Sequence, residues 1–146
     1  MSHVVLCNFR VHDVDSLAAA VKRLGGALLR GQSKWRWFEK FMNDSAIPKG
    51  FRPEDYGRNA EHVIRFPDCS YDIGVYKARD GKGGYVFLHD AWQGGYGLDA
   101  KVGGSEYGLL KQAYAVVRAK RALAAQGKTA VEKRLPSGQI QLVCQA

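Results

Sequence analysis

One long amphipathic helix constrains the fold of this chain more than any other feature of its sequence. Residues 106–126 carry apolar side chains at helical spacing, and Gly127 follows them as a stop signal. The apolar side chains that share one broad face of this helix are Leu109, Leu110, Ala113, Val116, Val117, Leu123 and Ala124. A face of that width must pack on a sheet.

The rest of the chain supplies short strands and a second helix. Residues 3–11 predict a strand, Asp13 predicts an N-cap, and a helix then runs to a stop at Gly25 and Gly26. Further strands are predicted at 27–29, 62–66, 71–77, 84–89, 129–135 and 139–144. The sequence therefore predicts an α+β fold in one domain, residues 1–146. A mostly antiparallel sheet carries two main helices on one face, and a β-hairpin forms the C-terminus.

The charge balance points to an anionic partner. Lys and Arg number 22 against 14 Asp and Glu, which gives a net charge of +8 and a pI near 9.5. Such a balance favours nucleic acid, nucleotides or phosphates as partners, although a charge of this size also serves solubility alone. The three cysteines show no disulfide or metal spacing, and no leader or membrane-spanning run is visible, so we expect a reducing, cytoplasmic location and no membrane association.

The segment 31–60 is irregular and contains the clearest ligand-binding pattern. Trp35, Arg36 and Trp37 follow Lys34, so aromatic rings alternate with cations. Bases stack on such rings, and arginine binds phosphate through two hydrogen bonds. The alternative is a structural role, in which Trp35 and Phe38 enter the core and the cations face water.

A glycine-rich loop before the long helix is a second candidate site for an anion. Lys101 and Ser105 flank Gly103 and Gly104 directly ahead of the predicted helix start. A helix N-terminus presents unpaired N–H groups and partial positive charge, which attract phosphate. The alternative is a plain loop with Ser105 as the N-cap.

A basic stripe follows on the helix itself. Lys111, Tyr114, Arg118 and Arg121 are spaced three, four and three residues apart and share one face. This stripe could track a phosphate backbone, or it could be the solvated face of a packed helix. Three further aromatic residues, Tyr71, Trp92 and Tyr96, are additional candidates for stacking.

Catalysis and metal binding have weaker signals. His89 and Asp90 end a predicted strand, and His62 lies on a neighbouring strand, so an acid–base group is one hypothesis for an enzyme acting on a phosphorylated substrate. The sequence shows no nucleophile, phosphate-loop or metalloprotease motif. No metal or cofactor is predicted, because His3, His62, His89 and the cysteines lack ligand spacing.

Several short motifs resemble a known family. They are Met1-Ser2-His3, Tyr71-Asp72-Ile73-Gly74, the pair Asp90 and Trp92, Gln112-Ala113-Tyr114, Gly127, and the run from Ser137 and Gly138 to Val143. Together they resemble a domain of unknown function typified by a plastid hypothetical open reading frame, with cyanobacterial, bacterial and phage members. Residues 33–60 look like an insertion relative to the plastid members. The resemblance implies a fold and no activity, although its phage members suggest proteins that sequester a host signalling nucleotide.

The leading hypothesis is therefore non-enzymatic binding of an anionic, base-containing ligand such as a nucleotide or cyclic oligonucleotide. The residues expected to bind it are Trp35, Arg36, Trp37, Tyr71, Trp92, Tyr96, Lys101, Ser105, Lys111 and Arg118. The alternatives are a nucleic-acid-binding module, an enzyme using His89 and Asp90, and an adaptor for another protein. A symmetric ligand would suit a homo-oligomer with the site between subunits.

Overall fold

A computed structural model describes residues 4–39 and 48–145, and its fold is α+β as the sequence predicts. Residue 3 of the first predicted strand, His3 as a metal candidate and the end of the aromatic segment beyond residue 39 lie outside these ranges. The strands are β1 (Val4–Val11), β2 (Ala27–Arg30), β3 (His62–Arg65), β4 (Ile73–Lys77), β5 (Tyr85–Asp90), β6 (Thr129–Arg134) and β7 (Ile140–Gln145). The helices are α1 (Val14–Arg23), α2 (Leu98–Val102) and α3 (Gly108–Ala125), with 3-10 turns at Pro53–Asp55 and Trp92–Gly95.

Five strands form the main sheet in the order β1-β5-β4-β3-β2, and every neighbouring pair is antiparallel. The chain enters at the β1 edge and crosses to the opposite edge through α1. It then returns strand by strand to β5, which pairs with β1. Strands β6 and β7 form the separate C-terminal hairpin, so the predicted antiparallel sheet and hairpin are both confirmed.

Helices α1 and α3 pack on one face of this sheet. Asp13 caps α1 by accepting hydrogen bonds from the backbone N–H and the hydroxyl of Ser16. Leu17 and Val21 of α1 and Leu110 of α3 are fully buried against the sheet. Apolar side chains on one stripe of each helix are thereby removed from water, which is the main source of stability for such a layer.

The opposite face of the sheet is covered by two parts of the irregular segment, residues 31–39 and 48–60. Val63, Tyr76 and Leu88 point to this face and form a second core with Trp35 and Phe51. The alternation of side chains along a strand explains the two cores, because successive residues of β3, β4 and β5 face opposite sides. These two parts of the predicted loop therefore form a third layer.

Two predicted boundaries shift for identifiable reasons. The strand predicted from residue 71 begins at Ile73, because the N–H of Asp72 donates to the carbonyl of Arg36 in the irregular segment. The long helix begins at Gly108 rather than 106, and Tyr107 precedes it in a left-handed conformation with φ 57°. Within the described residues, no helix has the length and apolar character to cross a membrane.

Candidate functional site

Residues 33–37 run across the sheet's second face in an extended path that three backbone hydrogen bonds fix. Trp35 N–H donates to Gly57 at 3.0 Å, Ala60 N–H donates to Ser33 at 3.1 Å, and Asp72 N–H donates to Arg36 at 3.0 Å. The aromatic segment is thus held between the 57–60 loop and the start of β4. This anchoring fixes the direction of its side chains.

Trp35 is a core residue. Its side chain is 3% exposed and its indole fills the space above Gly74, where an added Cβ would lie 2.5 Å from Nε1. Nε1 donates a 2.7 Å hydrogen bond to the hydroxyl of Tyr76. The expectation that the Trp35 ring stacks on a ligand is therefore corrected: its indole N–H and ring are already occupied by protein.

Trp37 keeps part of its ring exposed. Its indole lies over Gly57, whose added Cβ would stand 2.2 Å from Nε1. Tyr56 packs edge-to-face on the Trp37 ring at 5.7 Å between centroids, and the Trp35 ring lies 6.4 Å away. Neighbouring rings fix the Trp37 indole, so its open side is a rigid apolar surface beside the cations.

Arg36 and Arg65 converge on one buried carboxylate. Asp72 is fully buried and accepts from Arg36 Nη2 at 2.8 Å, from Arg65 Nη2 at 2.9 Å and from the Arg36 N–H at 2.9 Å. Burial alone would raise the pKa of Asp72, but the hydrogen bonds from Arg65 and Arg36 outweigh it and hold that pKa below its usual value. Asp72 therefore stays ionised and orients both guanidinium groups.

These side chains enclose a cavity of about 580 Å³ that is open to solvent. Its volume falls in the range of small-molecule sites. The residues that line it are Gln32, Lys34, Trp35, Arg36, Trp37, Glu39, Tyr56, Gly57, Arg58 and Arg65. Four of them are cations and one is an acid, so the cavity combines an aromatic wall with positive charge. We call it the Trp37 cavity.

The other predicted aromatic residues lie outside this wall. Tyr71 is 8% exposed and packs edge-to-face on Tyr96, with 4.9 Å between ring centroids. Tyr96 is 46% exposed, and Trp92 lies in the 3-10 turn after β5. The structure thus brings Trp35, Arg36 and Trp37 together but places Tyr71, Trp92 and Tyr96 elsewhere.

The glycine loop does not form the predicted anion site at a helix start. Lys101 belongs to α2 and pairs with Asp68 at 2.7 Å. Ser105 lies in a turn, and Tyr107, not Ser105, precedes α3. An added Cβ on Gly103 would lie 2.3 Å from the backbone nitrogen of Leu109, so this glycine packs against the first turn of α3. The N–H of Gly108 at the start of α3 also donates to the carbonyl of Gly103 at 3.3 Å, so the chain itself already occupies that donor.

The basic stripe on α3 is partly neutralised by acids. Arg118 and Arg121 each lie 4.0 Å from Asp13, and Lys111 lies 3.9 Å from Glu106. Arg118 also donates to the Tyr114 hydroxyl at 3.4 Å. These residues pack along α3 and do not reach the Trp37 cavity wall. Acidic side chains therefore interrupt the basic stripe, which appears continuous in the sequence.

His62, His89 and Asp90 are not assembled into one group. His89 is fully buried, and its Nδ1 lies 2.5 Å from the Tyr107 hydroxyl. Asp90 is the next residue on β5 and accepts hydrogen bonds from the backbone of Phe38 and Trp92. His62 packs near Tyr85, which precedes His89 by four residues, about 13 Å along the strand. The acid–base hypothesis therefore lacks the proximity that it requires.

Sequence reasoning missed Arg58 and Arg65 in the cavity wall and Asp72 behind it. Asp72 and Arg36 are 36 residues apart, and nothing in either local sequence signals their contact. Within the described ranges, His, Cys, Asp and Glu form no group of three or more that could hold a metal ion.

Comparison of the chain with family models, curated proteins and solved structures finds no match. The resemblance to the plastid-type family therefore remains a prediction.

Proposed function

We propose that this protein binds an anionic, base-containing small molecule, a nucleotide, in the Trp37 cavity and releases it unchanged. The observation that carries the proposal is the convergence of Lys34, Arg36, Arg58 and Arg65 around the half-buried Trp37 ring. The site is built from one chain, so the proposal does not depend on a homo-oligomer.

Stacking on an aromatic ring and hydrogen bonds to charged groups both favour nucleotide binding in the Trp37 cavity. A base stacked on an aromatic side chain contributes about 1–3 kcal/mol, and each hydrogen bond to a charged group contributes about 1.5–3 kcal/mol. Guanidinium groups suit phosphate oxygens because their N–H groups form a planar fork. The Trp37 cavity offers both interactions within one volume, which isolated surface lysines do not.

The proposal extends to sequestration of a signalling nucleotide. A protein that binds a ligand without converting it lowers the free concentration of that ligand. The phage members of the family that this sequence resembles suggest such a role. A cyclic oligonucleotide and a linear nucleotide carry the same two elements, a base and a phosphate.

Isothermal titration calorimetry against a panel of nucleoside monophosphates and cyclic dinucleotides tests the proposal. We expect saturable binding at one site per chain, weakened in the double variant Lys34→Gln/Arg58→Gln. The matched control is Lys133→Gln/Arg134→Gln, which removes the same charge from exposed positions of β6. Equal loss in both double variants would mean that net charge, not the cavity, governs binding.

Two further measurements separate the alternatives. Mass spectrometry of the ligand after the complex is denatured should recover the nucleotide that was added, whereas an altered product would indicate an enzyme. A nucleic-acid-binding module would lose about 10³–10⁵ in affinity between 50 and 200 mM salt if it contacted six to ten phosphates. A compact nucleotide site should show a much smaller salt dependence.

A further inference from the structure

We infer that the ligand of the Trp37 cavity carries a terminal phosphate monoester, which Arg36 and Arg65 bind together. This inference rests on the proposed function and narrows it, because it selects linear nucleotides over cyclic oligonucleotides. Asp72 acts in it as a positioning residue that fixes the two guanidinium groups.

Each arginine contacts Asp72 through the same two nitrogens. Arg36 uses Nε at 3.1 Å and Nη2 at 2.8 Å, and Arg65 uses Nε at 3.0 Å and Nη2 at 2.9 Å. Both contacts are side-on forks, so Nη1 of each guanidinium lies on the side away from Asp72. Within the described parts of the chain, neither Nη1 has a hydrogen-bond acceptor.

The exposure of the two side chains agrees with outward-facing donors. Asp72 is fully buried, whereas the side chains of Arg36 and Arg65 are 47% and 37% exposed. Both arginines line the Trp37 cavity. Arg36 Nη2 also donates to the carbonyl of Cys69 at 3.2 Å. The carboxylate therefore holds the inner edge of each fork, and Nη1 of each arginine is left to donate to a ligand in the cavity. Little side-chain entropy remains to be lost when that ligand binds.

The shared carboxylate also makes the two guanidinium groups neighbours. A phosphate monoester has three unesterified oxygens and can accept from two neighbouring arginines at once. A phosphodiester has two such oxygens and one charge. The diester groups of a cyclic dinucleotide lie apart on its ring, so one pair of adjacent arginines can engage only one of them. The geometry fits one multiply charged phosphate better than two separated diesters.

The charge of the cavity supports the same ligand class. Lys34, Arg36, Arg58 and Arg65 line the cavity, whereas the carboxylates are Glu39 on its wall and Asp72 behind it. The cations exceed the carboxylates by two. A nucleoside monophosphate carries about −1.5 to −2 charges on its terminal phosphate at pH 7, as other phosphate monoesters do. Binding such a ligand would bring the cavity close to neutrality.

A calorimetric comparison of three matched ligand forms tests the inference. For each of the four common bases we would titrate the 5′-monophosphate, the 3′,5′-cyclic monophosphate and the nucleoside. We expect the monophosphate to bind between about ten- and a hundredfold more tightly than its cyclic form. Arg36→Lys and Arg65→Lys should each reduce this preference by about tenfold, because lysine keeps the charge but lacks the second donor edge.

Arg79→Lys is the matched control. Arg79 is also an arginine held by a carboxylate, pairing with Asp55 at 2.6 Å, but it lines a different cavity beside Phe51. The preference for the monophosphate should survive this change. Thermal unfolding of all three lysine variants checks that each is folded, and inorganic phosphate should compete for the wild-type site.

The outcomes separate the two proposals. Equal affinity for the monophosphate and the cyclic form, or an unchanged preference in both cavity lysine variants, would overturn the monoester inference while nucleotide binding stands. Absence of binding by every nucleotide and cyclic dinucleotide would overturn the proposed function itself. If the nucleoside bound as tightly as its 5′-monophosphate, the site would not recognise phosphate, and the monoester inference would be overturned.

Discussion

The indole of Trp35 occupies the space that a side chain at Gly74 would need. Nε1 of Trp35 lies 2.5 Å from the position of an added Cβ on Gly74 and donates a 2.7 Å hydrogen bond to the Tyr76 hydroxyl. That hydroxyl also lies 2.5 Å from the carbonyl oxygens of Asp55 and Arg58. The absence of a side chain at Gly74 thus lets Trp35 pack on the sheet, and Tyr76 joins it to the backbone of residues 55 and 58. The cavity depends on these contacts, because residues 34–37 and 56–58 line it.

Replacing Gly74 by alanine should therefore destabilise the protein. The added Cβ would overlap the rings of both Trp35 and Tyr76, which are held by neighbours and cannot move away freely. We expect a loss of about 1–3 kcal/mol, the usual cost of overpacking a core. Denaturant unfolding measures it. Gly108→Ala is the control, since its Cβ would meet its nearest atom at 3.4 Å and alanine favours a helix; equal destabilisation in both variants would contradict the packing argument.

Replacing Trp37 by leucine should weaken nucleotide binding, and the loss in binding free energy should exceed the loss in the free energy of unfolding. Loss of a stacked base costs about 1–3 kcal/mol, or roughly ten- to a hundredfold in dissociation constant. Tyr96→Leu removes an aromatic ring that is 46% exposed and lies outside the cavity wall. Affinity should be unaffected by that second change. Calorimetry on both variants decides whether the Trp37 cavity or the Tyr71–Tyr96 pair holds the base.

Replacing Asp72 by asparagine should cost more stability than breaking an exposed ion pair. The change removes the buried negative charge and replaces one of the two acceptor oxygens by an amide NH2 group that faces the guanidinium groups, and we expect a loss of about 1–3 kcal/mol. Asp15→Asn breaks the pair between Asp15 and Arg30, whose side chains are 69% and 51% exposed, and should cost less than about 1 kcal/mol. Chemical denaturation compares the two. Similar small losses would mean that Asp72 does not organise the arginines.

Stability should fall as the pH is lowered from 7 toward 5, because His89 is buried in its neutral form. Burial lowers the pKa of His89, and the carboxylates of Asp99 and Asp90 oppose this effect without reversing it. The unfolded chain therefore takes up a proton near pH 6.5 while the folded chain resists it. The free energy of unfolding should drop by up to about 1.4 kcal/mol per pH unit within that window.

Comparing unfolding at several pH values in His89→Gln with the wild type measures this dependence. The slope between pH 5 and 7 should decrease in the variant. It should not vanish, since burial also lowers the pKa of His62, which is less buried. A slope unchanged in His89→Gln would show that His89 does not titrate in this way.

The local sequence predicts the seven strands and the helices α1 and α3, but not α2, which forms where a glycine-rich loop is expected. Asp13 caps α1 as its side-chain chemistry predicts, and the apolar stripe of the long helix packs on the sheet through Leu110, Ala113 and Val116. Both features depend on residues within a few positions of one another, so their periodicity and capping chemistry can be read along the chain.

The site could be predicted only in part for the same physical reason. The alternation of rings and cations at 34–37 identified Trp35, Arg36 and Trp37 as neighbours of a possible ligand. The pattern could not tell that Trp35 would fill the space above Gly74 while Trp37 stayed half-exposed, because that distinction is made by a strand far away in sequence.

Sequence alone determined the α+β class, the antiparallel strands, the C-terminal hairpin and the excess of positive charge. Tertiary structure decided which cations share a cavity, because the carboxylate that joins Arg36 to Arg65 belongs to Asp72, directly before β4 and far from Arg36 in sequence. Contacts between distant residues depend on how the layers pack. The local periodicity of the sequence does not predict that packing.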